Sequence, residues 1–115
     1  ILRLTPAYDI CPQGRTGNEA SQAMLITGEN RMSRISACLD TAHHFLLSRQ
    51  EAIVIVEEQL SCIIEDWEAV CGEADLSETD RSLLWRRQFL NSYAFEDLTG
   101  DARHLKDAVE KSGAL

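Results

Sequence analysis

Between Ser48 and Cys71, the apolar residues Ile53, Val56, Leu60, Ile63, Trp67 and Val70 recur at steps of three and four. At 3.6 residues per turn, that spacing gathers them on one face of an α-helix. Glu57, Glu58, Gln59, Glu65, Asp66 and Glu68 fall largely off the stripe. Ser48-Arg49-Gln50-Glu51 has the form of a capping box: the serine hydroxyl accepts from a first-turn N–H, and the glutamate reaches back to the Ser48 N–H. Gly72 follows and suits a left-handed stop. Ile53 to Val56 alone would suit a strand, because β-branched side chains pack well on a pleated surface. The cap, the length and the stop signal favour helix. Each Ile or Leu fully buried from such a stripe contributes about 1.5–3 kcal/mol, so other helices must cover it.

The same pattern predicts further helices. Ser33 caps one whose apolar face is Ile35, Cys38, Leu39 and Ala42, ending near His43-His44. Leu47 staples the first turn of the long helix onto Ala52. Ser77 caps the next helix, with Asp80 three residues on, and Leu83, Leu84, Phe89 and Leu90 are its core candidates. Trp85 is expected half-buried. Asn91 to Phe95 interrupts the periodicity. Leu98-Thr99 then opens a last helix with Ala102, Leu105 and Val109 on one face, and Ser112 to Leu115 should fray. Ahead of all these, Ile1-Leu2-Arg3-Leu4 alternates as a short strand that Thr5-Pro6 ends. Cys11 to Asn18 is a loop. Ser21 to Thr27 suits either a helical turn or a strand, and Gly28-Glu29-Asn30 closes it. The expected fold is mainly α: a helical bundle around one long central helix, with a short N-terminal strand segment. Residues 1–30 form one unit of organisation and residues 31–115 an α-helical subdomain.

Composition narrows the function. A chain of 115 residues suffices for one packed domain. The formal charge of −8 repels a phosphate backbone, so nucleic-acid binding by this chain alone is not expected. No run approaches the roughly 20 apolar residues of a membrane span, and no signal peptide is visible. The opening Ile1 in place of an initiator Met reads as a piece of a longer chain. Cys11, Cys38, Cys62 and Cys71 make no close pair, which suggests free thiols in a reducing cytoplasm.

Several clusters invite chemistry. His43 and His44 are adjacent on a helix, where neighbouring side chains diverge by about 100°, so a structural role is the simpler reading. Arg81, Arg86 and Arg87 form a basic group, read as carboxylate-paired on a solvated face, with contact to a partner protein, or to DNA held by that partner, as the alternative. Gly14-Arg15-Thr16-Gly17-Asn18 lacks the Gly-Lys-Ser/Thr ending of a phosphate loop and is read as a connector.

Arg3-Leu4-Thr5-Pro6-Ala7-Tyr8-Asp9-Ile10 resembles the metal-binding segment of HipA-like serine/threonine kinases, the toxins of bacterial toxin–antitoxin pairs. In that family a Pro-x-Tyr-Asp segment follows a short strand and stands where other protein kinases carry Asp-Phe-Gly. The resemblance extends through Ala20 to Met24, His44-Phe45-Leu46 and the long helix. It makes the chain the C-terminal part of a kinase-like large lobe. It implies that Asp9 ligates Mg²⁺ and that Tyr8 lies beside ATP. Without the resemblance, Asp9 reads as the cap of a turn near Pro12. The family's catalytic Asp, metal-binding Asn, nucleotide-clamping Lys and phosphate loop have no counterpart here. This piece is therefore expected to hold no catalytic residue and not to bind ATP and Mg²⁺ alone. Asp9 is followed by Ile10-Cys11-Pro12 and not Phe-Gly, a departure from an ordinary activation segment. The implied partners are a HipB-like DNA-binding antitoxin and a protein carrying the Ser or Thr to be phosphorylated, with DNA reached only through the antitoxin and no membrane. The alternative is a helical interaction module that docks the antitoxin without catalysis.

Overall fold

The computed structural model of the chain describes residues 1–11 and 16–112. The expected loop residues Pro12 to Arg15 and the expected fraying of Gly113 to Leu115 lie outside them. Among the described residues the regular elements are four α-helices and three short 3₁₀ helices. The α-helices are α1 (Ile35–Asp40), α2 (Arg49–Glu73), α3 (Glu78–Leu84) and α4 (Arg103–Lys111). The 3₁₀ helices are Ala42–Phe45, Ser92–Phe95 and Gly100–Ala102.

Helix α2 organises the rest. Its 25 residues span about 37 Å at 1.5 Å per residue, close to the 42 Å longest dimension of the molecule. The capping box at its start is complete: Glu51 N donates to Ser48 Oγ at 3.1 Å, and Ser48 N donates to Glu51 Oε2 at 2.7 Å. The other end corrects the sequence reading. Gly72 lies inside the helix, and Asp75 takes the left-handed conformation at φ 54. Asp75 N donates to Gly72 O at 3.1 Å and Leu76 N to Cys71 O at 3.0 Å, the paired bonds of a Schellman stop. Aspartate tolerates this region better than most side chains, so the glycine was not required.

The apolar stripe of α2 drifts as it runs. Ile53 and Leu60 are buried, and Val56, Ile63 and Ile64 pack beside the core. Val70 is 54% exposed, and Cys71 is buried in its place. A strict three-and-four rhythm had taken Val70 as the last core position. One step further round the helix, Cys71 faces inward.

Helices α1 and α4 both pack on α2, and α1 also meets the 3₁₀ helix Ser92–Phe95. Leu39 and Ala42, then Leu90, Phe95 and Leu98, and finally Ala102, Leu105 and Val109 join the α2 residues in one hydrophobic cluster. The predicted face of the last helix therefore holds, but its start does not. Gly100 has φ +57, outside the α-helical region, so the α-helix does not run through it: Gly100–Ala102 makes a 3₁₀ turn and α4 begins at Arg103.

The start of α1 is corrected as well. Arg34 is the N-cap, without a side-chain cap, while Ser33 Oγ accepts from Gln22 Nε2 at 2.7 Å. Residues 20–33 fold back on themselves. Gln22 N donates to Arg31 O at 2.6 Å, Ile26 N to Asn30 O at 2.7 Å, and Ser33 N to Ala20 O at 2.9 Å. Isolated antiparallel bridges join Ser21 to Met32 and Thr27 to Asn30. Ser21 to Thr27 is thus neither helix nor strand.

The expected strand at Ile1 to Leu4 is absent. A strand is held by a partner's hydrogen-bond ladder, and among the described residues nothing pairs with this stretch. Ile1, Leu2 and Leu4 are fully or almost fully exposed.

Charged contacts fasten the ends of the helices. Arg34 reaches Glu96 at 2.7 Å and Asp97 at 2.6 Å, and its guanidinium lies 4.5 Å from the centroid of the Tyr93 ring. Arg49 Nε meets Asp101 at 3.0 Å, joining the start of α2 to the turn before α4. His104 on α4 contacts Glu57 on α2.

Candidate functional site

The Pro6-Ala7-Tyr8-Asp9 segment lies outside the packed helices. Tyr8 is 78% exposed, and Asp9 is exposed too, with its backbone left-handed at φ 55. Asp9, Ile10 and Cys11 meet Gln88 and Phe89 across a shallow cavity of about 440 Å³. This is where the opening segment touches the helical body. The far wall follows α3 and is built tightly. The N–H groups of Arg87, Gln88 and Phe89 all donate to the Leu84 carbonyl, at 3.2, 2.9 and 3.2 Å. Arg86 sits at φ 70, and its N–H donates to Phe89 O at 2.8 Å. The buried Asn91 donates through Nδ2 to Arg87 O at 3.1 Å.

Among the described residues Asp9 has no hydrogen bond or ion pair, and no three His, Cys, Asp or Glu side chains come together as a metal cage. A turn cap by Asp9 is therefore not seen in these residues, though Pro12 lies outside them. An exposed aspartate suits Mg²⁺ as one hard oxygen ligand, because Mg²⁺ is usually held by one or two carboxylates with waters and substrate phosphates. The residues present fit a shared metal site and not a self-sufficient one.

The other clusters separate. His43 and His44 lie in the 3₁₀ helix Ala42–Phe45, where their rings stand 4.0 Å apart, so the divergence expected of an α-helix is not what the backbone gives. Both are exposed, and no third ligand joins them among the described residues. Of the three arginines, Arg81 is engaged: Nη1 meets Glu68 at 2.9 Å and Nε donates to Leu76 O at 3.1 Å. Arg86 and Arg87 are exposed, without an ion pair among the described residues. Among the described residues no disulfide joins the cysteines: Cys71 is buried, and Cys11, Cys38 and Cys62 are exposed. The Cys62 thiol hydrogen-bonds Asp66 at 3.4 Å, and that carboxylate raises its pKa above the ordinary thiol value.

Sequence reasoning missed two cavities. One, of about 450 Å³, is lined by apolar side chains of the 20–33 loop, α1 and α2, including Leu25, Phe45, Leu47 and Ile55. The other, of about 410 Å³, lies between α2 and α3 and has both Trp67 and Trp85 in its wall. Each indole was singled out in the sequence, but their meeting depends on how α3 turns back on α2, which no spacing rule supplies. Among the described residues no helix is long and apolar enough to cross a membrane. Compared with protein-family models, curated proteins and solved structures, the chain has no match.

Proposed function

We propose that the chain is the C-terminal part of a HipA-like protein serine/threonine kinase of a toxin–antitoxin pair, working in the cytoplasm. Its role is to supply the Asp9 carboxylate to Mg²⁺-ATP, with Tyr8 beside the nucleotide, and to brace that segment on a helical base. The observation that carries this reading is the presentation of Pro6 to Ile10. Asp9 stands open on the surface, while Leu4, Tyr8 and Ile10 around it keep 92%, 78% and 80% of their surfaces exposed. Exposed apolar side chains on both sides of one open carboxylate in the sequence suit a wall that another part of a larger kinase lobe covers. Phosphoryl transfer depends mainly on positioning and charge neutralisation, which is the work a metal-holding carboxylate does.

The test is transfer of labelled phosphate from Mg²⁺-ATP to protein serine or threonine. A chain extended through an upstream catalytic loop transfers phosphate. Asp9→Asn in that chain abolishes transfer and leaves the unfolding midpoint unchanged. Residues 1–115 alone transfer none. Full activity in Asp9→Asn overturns the assignment.

A second reading has its own support. The apolar cavity by Leu25 and Phe45 is flanked by Met24, 80% exposed, and Leu46, 95% exposed. With a formal charge of −8, such a surface suits a basic DNA-binding protein of the HipB-like kind. In this reading the chain docks its antitoxin without catalysis. Capture of that partner by residues 1–115, lost in Phe45→Asp, supports docking; failure to capture it removes this reading.

A further inference from the structure

We infer that the cavity between α2 and α3 binds a small molecule carrying a trimethylammonium head. Its lining residues are not those of the cavity at Asp9, and the inference does not rest on the kinase reading. Trp67 projects from α2 and Trp85 follows the last turn of α3, and their ring centroids lie 4.6 Å apart at 33°. Phe89 packs on Trp67 at 5.0 Å, so that indole is held by a second aromatic neighbour. The hydrogen bonds that three consecutive N–H groups make to Leu84 O fix the loop between Trp85 and Phe89. The aromatic wall is therefore set before a ligand arrives.

Glu68, Glu78, Arg81 and Ser82 line the cavity with the two indoles, Ile64 and Ser112, around a volume of about 410 Å³. That size falls within the range of small-molecule sites, about 300–1,000 Å³. Two carboxylates against one guanidinium leave the cavity with a net negative charge. The guanidinium is already committed, to Glu68 at 2.9 Å and to the Leu76 carbonyl at 3.1 Å. Glu78 has no ion pair among the described residues, so its charge is available to a cation entering the cavity.

Indole faces attract cations through the ring quadrupole, and tryptophan does so more strongly than tyrosine or phenylalanine. The chemistry also selects the kind of cation. A primary ammonium is compact and strongly hydrated, so it gives up its water to the indole wall reluctantly even where Glu78 can accept from it. A trimethylammonium group gives up its water more readily and presents methyl groups to the rings. A nearby carboxylate then supplies charge complementarity without needing a hydrogen bond.

The probe is choline, titrated into the full chain, with 3,3-dimethyl-1-butanol as the neutral molecule of the same shape. Trp67 and Trp85 are the only tryptophans in the chain, so tryptophan fluorescence, excited selectively over that of Tyr8 and Tyr93, comes from this cavity's wall. Broadening of the choline N-methyl proton resonance gives a second readout that does not use the indoles. The expected result is saturable binding with a Kd of about 1–10 mM. The neutral analogue should bind at least about fivefold more weakly, and Glu78→Gln should weaken choline by about threefold. Trp85→Phe keeps a ring in the wall and should weaken choline by about threefold as well, followed through the N-methyl resonance. Absence of saturation below about 100 mM overturns the proposal. Equal binding of the neutral analogue also overturns it, since the cavity would then take apolar shape and ignore charge. Glu78→Gln and Trp85→Phe proteins that unfold cooperatively yet bind choline unchanged would do the same.

Discussion

Leu2 and Leu105 are the same side chain in opposite circumstances. Leu2 is fully open to solvent, whereas Leu105 keeps 1% of its surface. Their neighbourhoods differ in the same way. Among the described residues every buried side chain lies between Ala37 and Val109, while Ile1, Leu2, Leu4, Tyr8, Ile10, Met24 and Leu25 are exposed. The two regions do not differ in their supply of apolar residues. They differ in periodicity. Ala102, Leu105 and Val109 return to one side of α4, and that side meets α2. The residues around Leu2 repeat on no helical face, and among the described residues no second strand lies beside them. Burial follows from a packing partner, which a repeated face supplies for α4 and tertiary contact supplies for Tyr93 and Phe95, more than from hydrophobicity alone.

Paired substitutions put that contrast to the sharpest test. Phe95 is 1% exposed and sits in the central cluster with Leu60, Leu90 and Leu98. Phe95→Ala should lower stability by about 3–5 kcal/mol, through lost burial and the cavity left behind. Ile10→Ala, in the exposed region, should change it by less than about 0.5 kcal/mol. Urea unfolding followed by far-UV circular dichroism measures both. Comparable losses from the two substitutions would mean that the opening segment packs in solution as firmly as the helices do.

A smaller effect probes how α2 begins. Ser48→Ala removes the hydroxyl that accepts from Glu51 N and should cost about 1 kcal/mol. It should also change the response to acid. The backbone N–H of Ser48, and then its hydroxyl, hold the Glu51 carboxyl below its ordinary 4.5. Arg49 holds Asp101 below its ordinary 3.8 in the same region. A depressed carboxyl pKa stabilises the folded chain fully above the ordinary value, and that contribution is lost as pH falls through the lowered one. Stability should therefore decline on acidification below about pH 4.5. Ser48→Ala removes only the hydroxyl's share, so it should lessen the Glu51 part of that decline without abolishing it and leave the Asp101 part in place. Unfolding midpoints measured from pH 6 down to about pH 3 in both proteins give the comparison.

The elements that were legible in advance are those whose information is local. Ser48 and Ser77 both cap where the sequence placed them, because a capping serine acts within three residues of its own position. The faces of α2 and α4 were readable because each repeats every turn. Apart from Gly72, where the deciding residue is only three positions on, the misreadings needed something remote. Ser33 looked like a cap, but Gln22, eleven residues upstream, takes its hydroxyl. Gly72 looked like a stop, but Asp75 supplies the left-handed residue. Ile1 to Leu4 looked like a strand, although a strand's partner is never written in its own alternation. The candidate site divides in the same way. The Pro6 to Asp9 motif was visible as a string, whereas its apposition to Gln88 and Phe89 depends on the loop after α3. The aromatic cavity was out of reach because Trp67 and Trp85 meet only through tertiary packing.

The smallest expected effect bears most directly on the uncovered region. Deleting Ile1 to Tyr8 removes only exposed side chains, and among the described residues none of these eight takes part in a hydrogen bond or ion pair. The remaining contact with the body, through Asp9, Ile10 and Cys11 at Gln88 and Phe89, is kept. The shortened chain should match the parent in helical signal and lie within about 0.5 kcal/mol of it in stability. Its solution behaviour should change in the other direction. Ile1, Leu2 and Leu4 together expose apolar surface of the kind that drives association, so light scattering at high concentration should show less self-association after the deletion. A loss of more than about 1 kcal/mol would place these residues on the helical body and erase the difference between Leu2 and Leu105. Unchanged stability with reduced association would instead mark the segment as surface that waits for a partner, which is the property the kinase reading requires of it.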